Sequence, residues 1–130
     1  MVKTKFQNKL IQLAKQYVHK CSPFNKSLHA TIICHGEFPI VYGVNQGYAH
    51  WETCLDYSLY SRHSEADAVR RFKRNNLIGK LEECDVYNVR VARDGSIKNS
   101  RPCQRCQNLL KKFSPRRVYY TNEEGDFVLF

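Results

Sequence analysis

Phe6, Leu10, Leu13, Ala14, Tyr17 and Val18 fall on one face of a 3.6-residue period, so residues 4–20 predict an amphipathic helix with its lysines outward. "CSPFNKS" ends that period. "LHATIIC" (28–34) and "FPIVYGV" (38–44), rich in β-branched residues, flank His35-Gly36-Glu37 and predict a β-hairpin. Residues 45–61 are harder to place. Ala66, Val69 and Phe72 then recur every three positions, which predicts a second helix over 64–74 that begins beside His63. "ECDVYNVRVA" (83–92) alternates as a strand does and closes at the Asp94-Gly95 turn. Pro102 suits the first turn of a third helix, where its missing N–H costs nothing, and Cys106, Leu109, Leu110 and Phe113 give that helix a face to bury. "RRVYYT" (116–121) and "FVLF" (127–130) predict two further strands around the turn "NEEGD".

Strands and helices alternate through the middle of this order. It implies an α/β fold in three layers, α/β/α, with a mixed five-stranded sheet between the helices. Five residues separate the last two strands, whereas a parallel connection needs a dozen or more, so they predict a C-terminal antiparallel hairpin.

A length of 130 residues with 42 % hydrophobic content supports one core, hence a single domain over 1–130. Lys and Arg outnumber Asp and Glu by 21 to 12, and the formal charge of +9 favours polyanions or phosphorylated ligands as partners. No apolar run approaches the roughly 20 residues of a membrane span, so a soluble protein with no membrane partner is expected. The lysine-rich, acid-free first 36 residues have the charge of a transit peptide. They are poor in Arg and Ser, and their apolar stripe fits an integral helix better. Of six cysteines only Cys103 and Cys106 are closely spaced; Cys21, Cys34, Cys54 and Cys84 lie singly in apolar or mixed segments and read as buried thiols. A reduced, intracellular protein fits this better than a disulfide scaffold.

Two short patterns carry candidate chemistry. His63-x-Glu65 opens the second predicted helix, and Pro102-Cys103-x-x-Cys106 opens the third. Zinc takes imidazole nitrogen and thiolate sulfur in a tetrahedron, and a catalytic site keeps one of its four positions for water. Cysteines at i and i+3 share a helix face, and a helix N-terminus favours thiolate charge. His63 can complete three ligands, leaving Glu65 as an uncoordinated carboxylate able to move protons. A His-x-Glu arises by chance in about a quarter of such chains, but a Pro-Cys-x-x-Cys in only about one in a hundred, so the pair in this order carries the weight. Other readings stay open at this level: a solvated helix start for His63 and Glu65, and a redox dithiol or a structural zinc clip for the cysteines.

The two patterns together make this chain similar to the cytidine deaminase-like superfamily, whose zinc signature they match. "LHATII" resembles its first strand, "VYGVN" its second strand with Gly-x-Asn, and "PCQRCQNLLKKFSPRRVYYT" its cysteine helix and following strand. The resemblance implies one zinc ion per chain on His63, Cys103 and Cys106, with Glu65 as proton shuttle in hydrolytic deamination at C4 of a cytosine-type base. It also places Asn45 against the sugar or base and the Ser64 backbone at the pyrimidine carbonyl. The expected partner is a pyrimidine nucleoside, a nucleotide or a single-stranded nucleic acid, and the expected assembly is a homo-oligomer. An antiparallel final strand resembles the cytidine deaminase branch, whereas histidine as first ligand resembles the others.

Three features bear on that reading. Tyr48, Trp51, Tyr57 and Tyr60 lie between Asn45 and His63, where they would stack on a base at the pocket mouth, the alternative being that Trp51, Leu55 and Leu59 make one turn of helix packing on the core. His50 or Cys54 from the same stretch would, as a fourth ligand, close the site and make Glu65 pointless. Arg70, Arg71, Lys73 and Arg74, with Arg101, Arg105, Lys111, Lys112, Arg116 and Arg117, offer a basic rim, and the rival function is a zinc-bearing nucleic-acid-binding module without turnover.

Overall fold

Thr4 starts the first helix reciprocally: its hydroxyl accepts the Gln7 N–H at 3.0 Å while Gln7 Oε1 accepts the Thr4 N–H at 3.1 Å. These bonds satisfy two of the donors every helix start leaves over. The helix, α1, spans Lys5–Tyr17 and tightens into a 3-10 turn at Val18–Lys20, as the 4–20 periodicity requires. A computed structural model describes residues 4–20, 28–45, 63–75 and 80–130. The aromatic stretch 46–62, with His50 and Cys54, lies outside the described residues, as does Cys21.

The predicted hairpin is present as β1 (Leu28–His35) and β2 (Phe38–Val44), antiparallel, with Gly36 at φ 60° in the left-handed region its turn demands. Helix α2 (Ser64–Asn75) follows, then β3 (Asp85–Val91), β4 (Ile97–Lys98), α3 (Gln104–Phe113), β5 (Arg117–Thr121) and β6 (Phe127–Leu129). The strands order as β2-β1-β3-β5-β6, with β4 on β3. Among the described strands only β3 and β5 run parallel, with α3 in the connection between them, and β5 and β6 form the expected antiparallel C-terminal hairpin. Among the described residues the sheet holds the five expected strands and the short β4. A two-residue strand such as β4 is too short to show any period. Pro102 also lies just outside α3, which is capped by Cys103.

The pleat sends alternate residues to two cores. Ala30, Ile32 and Cys34 of β1, with Tyr87, Val89 and Val91 of β3, meet Leu10, Ile11 and Ala14 of α1 on one face. On the other, Ile33 and Val86 meet Ala68, Val69 and Phe72 of α2 and Leu110 of α3. Each large apolar side chain so buried contributes about 1.5–3 kcal/mol. Arg116 secures the entry to β5: its guanidinium donates to both oxygens of the buried Asp85, at 3.0 and 2.8 Å, and its N–H donates to the Cys84 carbonyl at 2.8 Å. No helix among the described residues is long and apolar enough to cross a membrane.

On the α2 side, β2 comes unusually close to the helix. A Cβ on Gly43 would lie 2.2 Å from the Ala68 nitrogen and 2.4 Å from the Ser64 carbonyl oxygen. Next to it the Val44 N–H donates to Asp67 Oδ2 at 3.0 Å, and Asp67 also pairs with Arg71 at 3.3 Å. The start of α2 is therefore pinned to β2 by contact and by hydrogen bond.

Candidate metal centre and its carboxylate

His63 and Cys103 occupy equivalent places. The His63 carbonyl accepts the first helical hydrogen bond of α2 from the Asp67 N–H at 3.1 Å, and the Cys103 carbonyl accepts that of α3 from the Gln107 N–H at 2.9 Å. Two helix N-termini therefore carry the site, each presenting the positive end of its dipole to it. Pro102 helps set the angle of α3: it adds no donor of its own, and its carbonyl accepts from Gln107 Nε2 at 2.8 Å.

His63 Nδ1 lies 3.2 Å from Cys106 Sγ and 3.6 Å from Cys103 Sγ, and the three ligand atoms fall within 4.8 Å of one another. Tetrahedral zinc bonds of about 2.0 Å to nitrogen and 2.3 Å to sulfur imply N···S separations of about 3.5 Å. The donor set and its spacing fit a single metal ion of zinc's size and softness. Cys106 is buried and Cys103 exposed, so the triad is open on the Cys103 side. Among the described residues no fourth histidine, cysteine or carboxylate joins the cluster.

Glu65 is two positions past His63, outside the ligand set, and only 4 % exposed. Ser64 donates its hydroxyl to Glu65 Oε1 at 3.1 Å, and Asn88 Nδ2 donates to Oε2 at 3.0 Å. Ser64 is itself fully buried, its Oγ 2.7 Å from Thr31 Oγ1. Asn45, at the end of β2, uses its Oδ1 to accept the His29 N–H at 2.9 Å. His29 was not anticipated. Burial pushes its pKa below the usual histidine range; the Glu65 charge opposes this, while Arg90 and His63 add to it. A neutral imidazole results near pH 7.

Thr31, Asn88 and Ser100 also went unremarked in the sequence, although all are buried and polar. A signal was there: in "DVYNVRV" Asn88 falls in phase with Val86, on a face that ought to be apolar. The basic rim is partly committed elsewhere. Arg71 and Arg116 pair with Asp67 and Asp85, Lys73 lies 4.1 Å from the centre of the Phe113 ring, and Arg101 lies 5.1 Å from that of Phe130.

The lone cysteines behave as expected where they are described: Cys34 and Cys84 are buried and free. Burial first, then Asp85 and Cys84, pushes the Cys34 thiol up to about 12. At pH 8 about one molecule in ten thousand would hold Cys34 as thiolate. In chelator-treated protein, iodoacetamide at that pH should label Cys103 while leaving Cys34 unmodified, as read by peptide mass spectrometry. Comparable labelling of the two would contradict the burial assigned to Cys34.

Sheet, paired helix starts and a His/Cys/Cys triad together define a deaminase-type α/β domain. The chain belongs to the family described as the cytidine and deoxycytidylate deaminase zinc-binding region, whose model matches residues 4–122. Among solved structures it is similar to a cytidine deaminase from Burkholderia pseudomallei, with a TM-score of 0.68 and 17 % identity over 98 % of this chain and 92 % of that one. It is also similar to a dCMP deaminase from the cyanophage S-TIM5 in complex with dCMP and dUMP, with a TM-score of 0.62 and 15 % identity over 95 % and 85 %. A guanine deaminase from Bacillus subtilis gives a TM-score of 0.55 and 20 % identity over 95 % and 66 %. Among curated protein sequences none matches this chain significantly.

Proposed function

We propose that this protein is a zinc-dependent hydrolytic deaminase acting on a cytosine-type base, presented as nucleoside, nucleotide or single-stranded nucleic acid. The observation that carries the reading is the convergence of His63, Cys103 and Cys106 beside a buried carboxylate that is not one of them. A zinc ion held by these three residues would supply a Lewis acid that makes water a nucleophile near neutral pH.

The chain's own groups then divide the work. Water adds its oxygen to C4 of the ring, the exocyclic C4–N bond breaks, and ammonia leaves. Glu65 carries one proton of the water to ring N3 and then the other, from the new C4 hydroxyl, to the departing nitrogen, so a C4 carbonyl remains and the carboxylate ends as it began. In this reading Asn45 would contact the sugar or base, and the Ser64 backbone the pyrimidine carbonyl. Burial of Glu65 keeps bulk water from competing for its proton.

Similarity to proteins named for cytidine, dCMP and guanine shows that this fold accepts more than one base and more than one appendage. The deciding experiment is ammonia release from cytidine, deoxycytidine, their monophosphates, and single-stranded RNA and DNA, with metal content measured on the same preparation. About one zinc per chain and turnover of at least one cytosine substrate are expected. Zinc without product from any of them, together with single-strand binding that drops steeply as salt is added, would favour the binding module instead.

A further inference from the structure

We infer that Asn88 is a positioning residue, fixing the Glu65 carboxylate in place and tying it to the segment that delivers the two cysteines. The inference rests on Glu65 being the proton carrier, but the contacts themselves do not.

Asn88 stands in the middle of β3, opposite Thr31 of β1 and beside Tyr120 of β5, and is 1 % exposed. A carboxamide buried there is tolerable only if its polar atoms find partners. Nδ2 donates one hydrogen to Glu65 Oε2 and the other to the Ser100 carbonyl, each at 3.0 Å, while Oδ1 accepts from the Thr31 hydroxyl. Turning the amide over would set its oxygen against a carboxylate and a carbonyl, both pure acceptors. The environment therefore permits one orientation.

Glu65 is gripped at both oxygens, by Asn88 and by Ser64, which removes the rotation its terminal torsion would otherwise keep. Proton transfer depends on such placement to within about half an ångström. The second hydrogen of the same amide reaches further. Ser100 lies three positions before Cys103, and its own hydroxyl donates to the Asn88 carbonyl at 2.6 Å and accepts the Thr121 N–H at 2.7 Å. One side chain thus joins the helix of His63 and Glu65 to the approach of Cys103 and Cys106. An apolar residue would fill the same space, yet it could hold neither the carboxylate nor the carbonyl.

The test compares Asn88→Leu, close in volume but without a donor, and Asn88→Asp, which keeps the shape and turns the donor into an acceptor facing Glu65. In zinc-loaded crystals of both variants the Glu65 carboxylate should leave its place beside residue 88. With the best substrate of the panel, kcat should fall about 10- to 100-fold while KM stays within about twofold and zinc remains at about one per chain. A carboxylate found within about half an ångström of its original position in both variants, or an unchanged kcat, overturns the proposal. If Asn88→Leu does not fold, Asn88→Asp decides alone. If the wild type turns over nothing, the proposed function fails and the crystallographic position of Glu65 still judges Asn88.

Discussion

Replacing Glu65 with alanine should lower ammonia release about 1,000-fold or more while zinc stays at about one ion per chain. The two readouts separate because the side chain stands outside the ligand triad: His63 Nδ1 and the sulfurs of Cys103 and Cys106 lie together without it. General acid–base groups commonly supply a factor of about 100 to 10,000, and here one carboxylate would serve in both directions of proton transfer. The loss should therefore fall in the upper part of that range. Glu65→Gln is the stricter version, since it keeps the volume but cannot accept a proton. Metal content by elemental analysis and ammonia by an enzyme-coupled assay decide the matter. Loss of zinc in step with activity would make Glu65 a ligand, and retained activity would remove it from the mechanism.

Gly43→Ala should destabilise the protein by about 3 kcal/mol, lowering its thermal midpoint by on the order of 10 °C. The added carbon would sit 2.2 Å from the Ala68 nitrogen, 2.4 Å from the Ser64 oxygen and 2.7 Å from the Ala68 Cα, all backbone atoms that cannot rotate aside. Relief requires α2 to move off β2. That would stretch the bond from the Val44 N–H to the buried Asp67 carboxylate, now 3.0 Å. The displaced turn is the one that carries Ser64 and Glu65, so activity should fall with stability. A thermal melt within about 2 °C of wild type would show that the two elements separate freely, contrary to the packing described.

Sequence pattern exposed the elements that obey one period over several turns or pleats. The stripe of α1, the Gly36 hairpin and the alternation of β3 needed only local rules. The candidate metal triad was legible for a different reason: a Pro-Cys-x-x-Cys after a His-x-Glu, each at a helix start, is rare by chance, and the structure brings His63, Cys103 and Cys106 together. What escaped was tertiary. The two-residue β4 exists only because β3 offers it an edge, and Asn88 looks like a flaw in an apolar strand until Glu65, Thr31 and Ser100 surround it. His29 gave no sign either, since the pull of its burial depends on neighbours distant along the chain.

The place of β1 between β2 and β3 has a kinetic side. Ile33 finds Val41 only eight positions along, whereas Ile32 meets Tyr87 of β3 after 55. By loop-closure entropy alone the second pairing is the harder by about 2 kcal/mol, so the hairpin zips early and its inner rim stays unsatisfied until β3 has been synthesised. During translation the unpaired N–H and C=O groups of that rim are where a nascent chain is most open to pairing with its neighbours, and the arrival of β3 both satisfies them and brings in Asn88.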